Sequence, residues 1–563
     1  MLSSLRNTLP KFATSFRQRT VVQAFGIDQR SAHFKSLVML ALALALFGLS
    51  YIYGLNRGMD RMFAGPLDTR AQQIASAISD VAYNLDLRYA VHGKILTALT
   101  KGGLSDVPDN IRPLGLTYPD YLFDTKFWNN LLNAVTHLEG INGSPRLSDG
   151  TLTFIGWEDL GLVDFFKLSF RLFGYNIQGF FKTYFLLLGL GIVCFFCAFW
   201  SRPGILVTGN FILLGLFLSI CQLYDIDSVV NGRFFATLAI LPTFHLTILT
   251  WAPPRLTVAG AVLAAVQVLL LAFVITMRSS AAWGVLLLGA SIVIMLIWQA
   301  KVFWSRQPLK IFVQKSITWP VVIVAVGLVG FNIYQNNKIH PGYFALDETL
   351  PRHLFWHSLA FGLGYFPGID ARVPELQGAR GDSLPTYLGN AYLKNSMGFE
   401  PPSLSAYYAS NFFPSLGRPR TYERVVQAAY LDFVRRHPFE FLHFTFITKP
   451  QMLLTALFDS FGRVIGKSGK YFVLSSLLLL VAVWFVRPTP IDKDDLNFGS
   501  MVLGGMAIAT SLPSLVAYPA NLGDTFAVWV ALIAALLLMT AWNSWPLLRY
   551  IRQSIIMARH RSP

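Results

Sequence analysis

Charge is what this chain has least of. Asp, Glu, Lys and Arg make up 13% of its 563 residues, about half the share of a soluble globular protein. Too few water-seeking side chains remain to cover a soluble domain of this length, so that class is excluded. Cysteine is nearly absent, with Cys194, Cys197 and Cys221 the only three, and this excludes a disulfide framework. Cys194-Phe-Phe-Cys197 has redox or metal spacing, but it sits in an apolar run without a third or fourth ligand. There cysteine acts as a small buried hydrophobe. No tandem repeat is visible, which removes solenoid architectures. What fills the chain is apolar: 54% hydrophobic residues, 46 of them Phe, and a mean hydropathy of +0.49.

Apolar runs of about 20 residues recur, each long enough to cross a hydrocarbon core about 30 Å thick. Ten spans are read at about 36–55, 180–200, 204–224, 231–250, 256–276, 281–300, 316–335, 470–486, 499–518 and 523–543. The net charge of +16 is not spread as a nucleic-acid surface would be. Arg6, Lys11, Arg17, Arg19, Arg30 and Lys35 crowd the N-terminus against one acid, Asp28, and segment 301–315 and the tail after Trp545 are also basic. Basic clusters flanking spans mark the cytoplasmic side, so nucleic acid is not an expected partner and anionic membrane lipid is. With the N-terminus inside, Ser201-Arg202, Pro253–Arg255, Lys301–Lys315, Arg487–Asn497 and the C-terminus all fall in the cytoplasm.

The expected fold is therefore mainly α: a polytopic membrane protein with about ten transmembrane helices and two extracytoplasmic modules. Residues 1–35 form a basic, amphipathic cytoplasmic segment rather than a cleavable signal, and 36–55 the first span. Residues 56–179 form the first outward module, 180–335 spans two to seven, and 336–469 the second outward module. Spans eight to ten occupy 470–543, and 544–563 is a basic tail. The first module opens with helical spacing over Ala71–Leu85 and continues as a Gly-, Pro- and Asp-rich loop. The second closes with a helix from Tyr422 to Arg436, stopped by His437-Pro438, and a further helix over Phe439–Leu457.

Against so little charge, a few ionisable groups at membrane surfaces stand out as candidates. Glu158, Asp159 and Asp164 precede the second span, with Lys167 and Arg171 one helical turn apart. If Leu160–Phe180 is helical, the two leading acids favour its dipole. A carboxylate there also suits a general base towards a sugar hydroxyl. Asp225 and Asp227 lie in a short outward loop before Arg233; they cap helices or hold a divalent cation through oxygen. In the second module Arg352, His353 and His357 lie together, the histidines four apart on one helix face. They suit a metal or, with the guanidinium fork, a pyrophosphate. Asp370 and Arg372 follow in a Gly-rich loop.

The helix Tyr422–Arg436 followed by His437-Pro438-Phe439-Glu440-Phe441-Leu442 resembles segments of bacterial membrane glycosyltransferases of the GT-C superfamily. The layout is similar as well, with one span, a long outward loop carrying acids, many further spans and a late outward module. The resemblance implies a bacterial cytoplasmic-membrane enzyme that takes a sugar from a polyprenyl-phosphate or polyprenyl-pyrophosphate donor at the outer face. A carbohydrate or lipid acceptor would receive it, in assembly of envelope polysaccharide or glycoconjugate. It maps the catalytic acid to Glu158 or Asp159, although the acid of that class lies soon after the first span and here comes about 100 residues later. Lys167, Arg233 or Arg352 would hold the donor phosphate. A second reading is an O-antigen polymerase or ligase type of enzyme, acting through Arg352, His353, His357 and Arg372. A third is a non-catalytic assembly scaffold or transporter; spans five to seven, nearly free of polar groups, count against transport. No cofactor is expected beyond a possible divalent cation.

Overall fold

The computed structural model describes residues 29–56, 67–83, 89–93, 95–96, 152–154, 160–175, 178–222, 233–303, 319–339, 355–366, 368, 384–397, 419–486, 490–516 and 522–561. In chain order these form α1 (Gln29–Asn56), α2 (Leu67–Tyr83), β1 (Ala90–His92), β2 (Leu152–Phe154), α3 (Gly161–Phe173), α4 (Gln178–Ala198) and α5 (Pro203–Gln222). A 3-10 turn (Arg233–Ala239) leads into α6 (Ile240–Trp251), α7 (Val258–Met277), α8 (Trp283–Phe303) and α9 (Trp319–Asn337). The remaining helices are α10 (Phe355–Gly362), α11 (Leu384–Met397), α12 (Pro419–Arg436), α13 (Pro438–His443), α14 (Lys449–Val486), α15 (Pro490–Val516) and α16 (Leu522–Arg561). A π turn, Phe444–Thr448, joins α13 to α14.

Among the described residues, nine helical stretches are long and apolar enough to cross a membrane, and each overlaps one of the ten spans expected from sequence. The chain is a multi-span helical membrane protein. The expected span at 470–486 lies inside α14, which runs unbroken for 38 residues, so no boundary separates it from the second module at 469.

Glycine and proline shape two of the segments read from sequence. Leu160–Phe180 is not one helix. Gly174, at φ 71°, closes α3, and its N–H returns to the carbonyl of Phe170, a left-handed stop that costs glycine no steric penalty. The expected span at 231–250 opens as a 3-10 turn and becomes α-helical only from Ile240. Pro242 explains this, because it lacks an N–H and is accepted only in the first turn of an α-helix. A further departure is the two-stranded antiparallel ribbon in the first module, Ala90 opposite Phe154 and His92 opposite Leu152.

All twenty residues of α5 are buried. A helix that is apolar all round is surrounded by protein or by lipid, and here α1, α14, α15 and α16 enclose it. Gly215 permits the closest approach: a Cβ there would lie 2.1 Å from the carbonyl oxygen of Ala527. Small residues at helix crossings, with hydrogen bonds across them, take the place of the hydrophobic driving force that lipid removes. Asn210 donates to the carbonyl of Met39 (3.1 Å), Ser219 to that of Gly523 (2.7 Å), and Gln222 to the Ser460 hydroxyl (2.7 Å). A second apolar cluster, built by α10, α11 and α12 around Leu359, Leu388, Val426 and Phe433, forms a core of its own.

The end of the bundle where α1 begins is called proximal here, the opposite end distal. Two ion pairs, one buried and one partly buried, close the proximal end. The Lys35 ammonium lies 2.7 Å from Asp492, and the Arg202 guanidinium meets both oxygens of Asp495. They tie α1 and the α4–α5 hairpin to the start of α15. Removing one member of a buried pair strands the other charge, at a cost of about 3–5 kcal/mol, whereas replacing both by apolar groups is close to neutral. Lys35→Met should therefore lower stability by about 3–5 kcal/mol in reversible detergent-induced unfolding, and Lys35→Met/Asp492→Leu should recover most of that loss.

Candidate functional site

The ionisable groups that gather at the distal end come from four separate parts of the chain. Their placement starts with α3. Leu162, Val163, Phe165, Phe166 and Phe170 form its buried face, and Phe165 stacks on Phe235 with ring centroids 4.8 Å apart. Gly161 lets the helix begin against the end of α7: a Cβ there would fall 2.4 Å from the carbonyl carbon of Thr276. With the apolar face fixed, Asp164 and Lys167 turn to the other side of α3, towards α2, the β1 turn and α9.

Asp164 is held by three groups. The Tyr89 hydroxyl donates to its Oδ2 at 2.7 Å, the Gln335 amide donates to the same oxygen at 3.2 Å, and the Lys338 ammonium lies 3.4 Å from Oδ1. Tyr89 also contacts Gln335 Oε1; a phenol has one proton to give, and the charged acceptor makes the stronger bond. Burial first, and the Asp164 charge second, push the Tyr89 phenol far above its ordinary range, so it stays a donor. Lys167 pairs with Asp80 and lies over the Tyr89 ring, 5.5 Å from its centroid. Lys338 lies over the ring of Tyr334 at 4.3 Å. Burial works against the Lys338 charge, but Tyr334 and Asp164 outweigh it and raise its pKa. Its side chain remains 34% exposed, against 13% for Asp164.

Tyr89 itself stands at φ 70°, the one non-glycine residue with positive φ among the described residues. An L side chain in that region costs of order 1–3 kcal/mol and persists where surrounding contacts over-determine it. Here the contacts are the bonds to Asp164 and Gln335 and an almost fully buried ring. The result is a rigid carboxylate, a permanent phenolic donor and a partly exposed ammonium. Such a set can orient a hydroxyl and neutralise a phosphate.

No family model matches the chain, and no curated protein or solved structure matches it.

Of the residues singled out from sequence, Asp164 and Lys167 enter this cluster, while Arg171 is exposed in the last turn of α3. Glu158, Asp159, Asp225, Asp227, Arg352, His353, Asp370 and Arg372 lie outside the described residues. Arg233 opens the 3-10 turn, and its side chain also lies outside them. Among the described residues no group of three or more His, Cys, Asp or Glu is placed to hold a metal ion. His357 sits in the first turn of α10, beside the second apolar cluster, and Asp164 at the edge of the first. Sequence reasoning missed Asp80, Tyr89, Gln335 and Lys338, although Lys338 directly follows a span and Asp80 lies in a helix whose spacing was legible.

It also missed Glu423. This α12 carboxylate accepts from the backbone N–H groups of Trp356 (2.9 Å) and His357 (3.1 Å), capping α10 from another helix. Burial pushes its pKa up, and the two backbone bonds oppose that shift. A carboxyl with a raised folded-state pKa binds its proton more tightly when folded, so its contribution is most favourable in acid and is lost as pH rises through the raised value. Hydrogen-exchange protection of α10–α12 should therefore fall as pH rises out of the ordinary carboxylate range, once intrinsic exchange is corrected for. Glu423→Gln should flatten that dependence and, by leaving one N–H unpaired, cost about 1 kcal/mol at neutral pH.

Proposed function

We propose that this chain is an integral membrane glycosyltransferase, moving a sugar from a polyprenyl-linked phosphate or pyrophosphate donor to a carbohydrate or lipid acceptor at the distal end of the bundle. The reading assigns the distal end to the outside and the proximal end to the cytoplasm. Arg202, Arg255 and the basic segment 301–315 all flank the proximal ends of helices, as the positive-inside rule requires. It also takes α14 as a tenth crossing. Ser460 meets the distal end of α5, and after 26 further helical residues, about 39 Å, the chain enters α15 next to the proximal Asp492.

The observation that carries the reading is Asp164, fixed at the distal end by Tyr89, Gln335 and Lys338 around a strained tyrosine. Positioned donors and charges, aimed where charge develops, are what group transfer from a phosphate requires. In this reading Asp164 is a positioning residue. It holds the Lys338 ammonium, whose exposed part faces the donor phosphate. Glu158 or Asp159, just upstream on the chain, takes the proton from the acceptor hydroxyl. The acceptor oxygen bonds to the anomeric carbon as the bond from that carbon to the phosphate oxygen breaks, and the electron pair leaves with the polyprenyl phosphate.

One feature favours a non-catalytic alternative, in which the cluster simply clamps the first module to α9. It holds two acids and two lysines, each facing an opposite charge. The two readings separate in reconstituted protein supplied with labelled polyprenyl-phosphate sugars. Transfer should fall about 100-fold in Asp164→Asn and Lys338→Gln, with the fold retained and Lys338→Arg partly active. Undiminished transfer in folded Lys338→Gln would leave only the clamp.

A further inference from the structure

The path from α12 into the membrane carries apolar side chains on two sides. One side is spoken for: Phe444, Leu453, Leu457 and Val464 are buried against the two cores. The other is bare. Phe439 is 82% exposed, Phe446 72% and Phe458 70%, with Leu442, Leu454 and Ile465 each near half. The π turn aligns them. Phe458 follows Phe439 by nineteen residues, about 5.3 turns of a regular α-helix, which would set the two rings about 100° apart. A π turn, with i→i+5 bonding, takes in one extra residue, and the eighteen that remain make about five whole turns.

This bare side starts outside the hydrocarbon core and runs into it. At 38 residues, α14 is about 57 Å long, nearly twice a core of about 30 Å. Ser460 stands level with the distal end of α5, so the residues before it lie at or beyond the headgroup layer. Residues 435–470 carry Arg435, Arg436, Lys449, Arg463, Lys467 and Lys470 against Glu440 and Asp459, and of these Arg435, Arg463 and Lys470 lie at least partly exposed. A second copy of the same surface would meet like charge, whereas anionic lipid phosphates meet opposite charge. Gly462, Gly466 and Gly469 have open space where a side chain would be. Packing does not require glycine there, but a helix passing from the membrane surface into a crossing gains from the freedom to bend.

We infer that residues 435–470 form an interfacial anchor, lying in the anionic headgroup layer of the distal leaflet with Phe439, Phe446 and Phe458 dipped into the acyl boundary. The anchor does not depend on the proposed activity. It fixes the second module to the bilayer surface where a lipid-borne substrate would present its head group.

The test uses full-length protein with Cys194, Cys197 and Cys221 replaced and an environment-sensitive fluorophore at Phe446→Cys or Phe458→Cys. Leu454→Cys substitutes for either variant if it fails to fold, and Arg424→Cys serves as the water-exposed control. In vesicles with and without phosphatidylglycerol, the apolar sites should emit blue-shifted. Lipids with brominated acyl chains should quench them about threefold, more strongly when phosphatidylglycerol is present. Emission as water-like as the Arg424 control would overturn the anchor. So would shielded emission that bromine leaves unquenched while the cysteines cross-link two copies.

Discussion

A charge taken out of water must meet an opposite charge or neutralise itself, and in this chain that rule decides where almost every ionisable group can stand. Helices that cross hydrocarbon cannot carry unpaired charge without a cost of several kcal/mol. At the proximal end Lys35 and Arg202 meet Asp492 and Asp495 in ion pairs. Further along the bundle, Asp524 accepts from the Trp283 indole at 2.7 Å and from the Thr525 backbone. His245 takes the second course. Fully buried against the edges of Phe195 and Phe199, its ring nitrogens have no hydrogen-bond partner among the described residues. A neutral imidazole among aromatic rings is tolerated where an ion would not be.

The two ends answer the same rule differently. Proximal pairs are largely withdrawn from solvent, and they join helices that are already neighbours. The distal cluster brings Asp80, Tyr89, Asp164, Lys167, Gln335 and Lys338 together in one network, and it leaves the Lys338 ammonium about a third exposed. It also holds a tyrosine in a backbone region that L residues avoid. A clamp that served stability alone would have no need of an open lysine or of a strained donor. This contrast is the reason chemistry is proposed for the distal end.

What the sequence made legible follows from period and composition. Nine spans could be read because a bilayer demands about twenty apolar residues in a row, whatever their identity. α5 reads the same as a lipid-facing span, since an all-apolar helix does not reveal whether protein or lipid surrounds it; its packing, with Gly215 against Ala527, shows the enclosure. Asp164 and Lys167 were visible because charge is rare beside a span. Tyr89 was not, since positive φ at a tyrosine has no sequence signature, and neither were Gln335 and Lys338, whose partners lie more than 170 residues away. Glu423 looked like an ordinary surface residue of an amphipathic helix, because its role is to cap the start of another helix.

The most direct measurement is a cryo-EM map of the full chain in nanodiscs loaded with a polyprenyl-phosphate sugar. The account requires phosphate density within hydrogen-bond reach of the Lys338 ammonium, with Asp164 still bound to Tyr89 and the prenyl chain leaving into the distal leaflet. A distal cluster sealed by protein, with the lipid phosphate bound at some other place on the bundle, would contradict it.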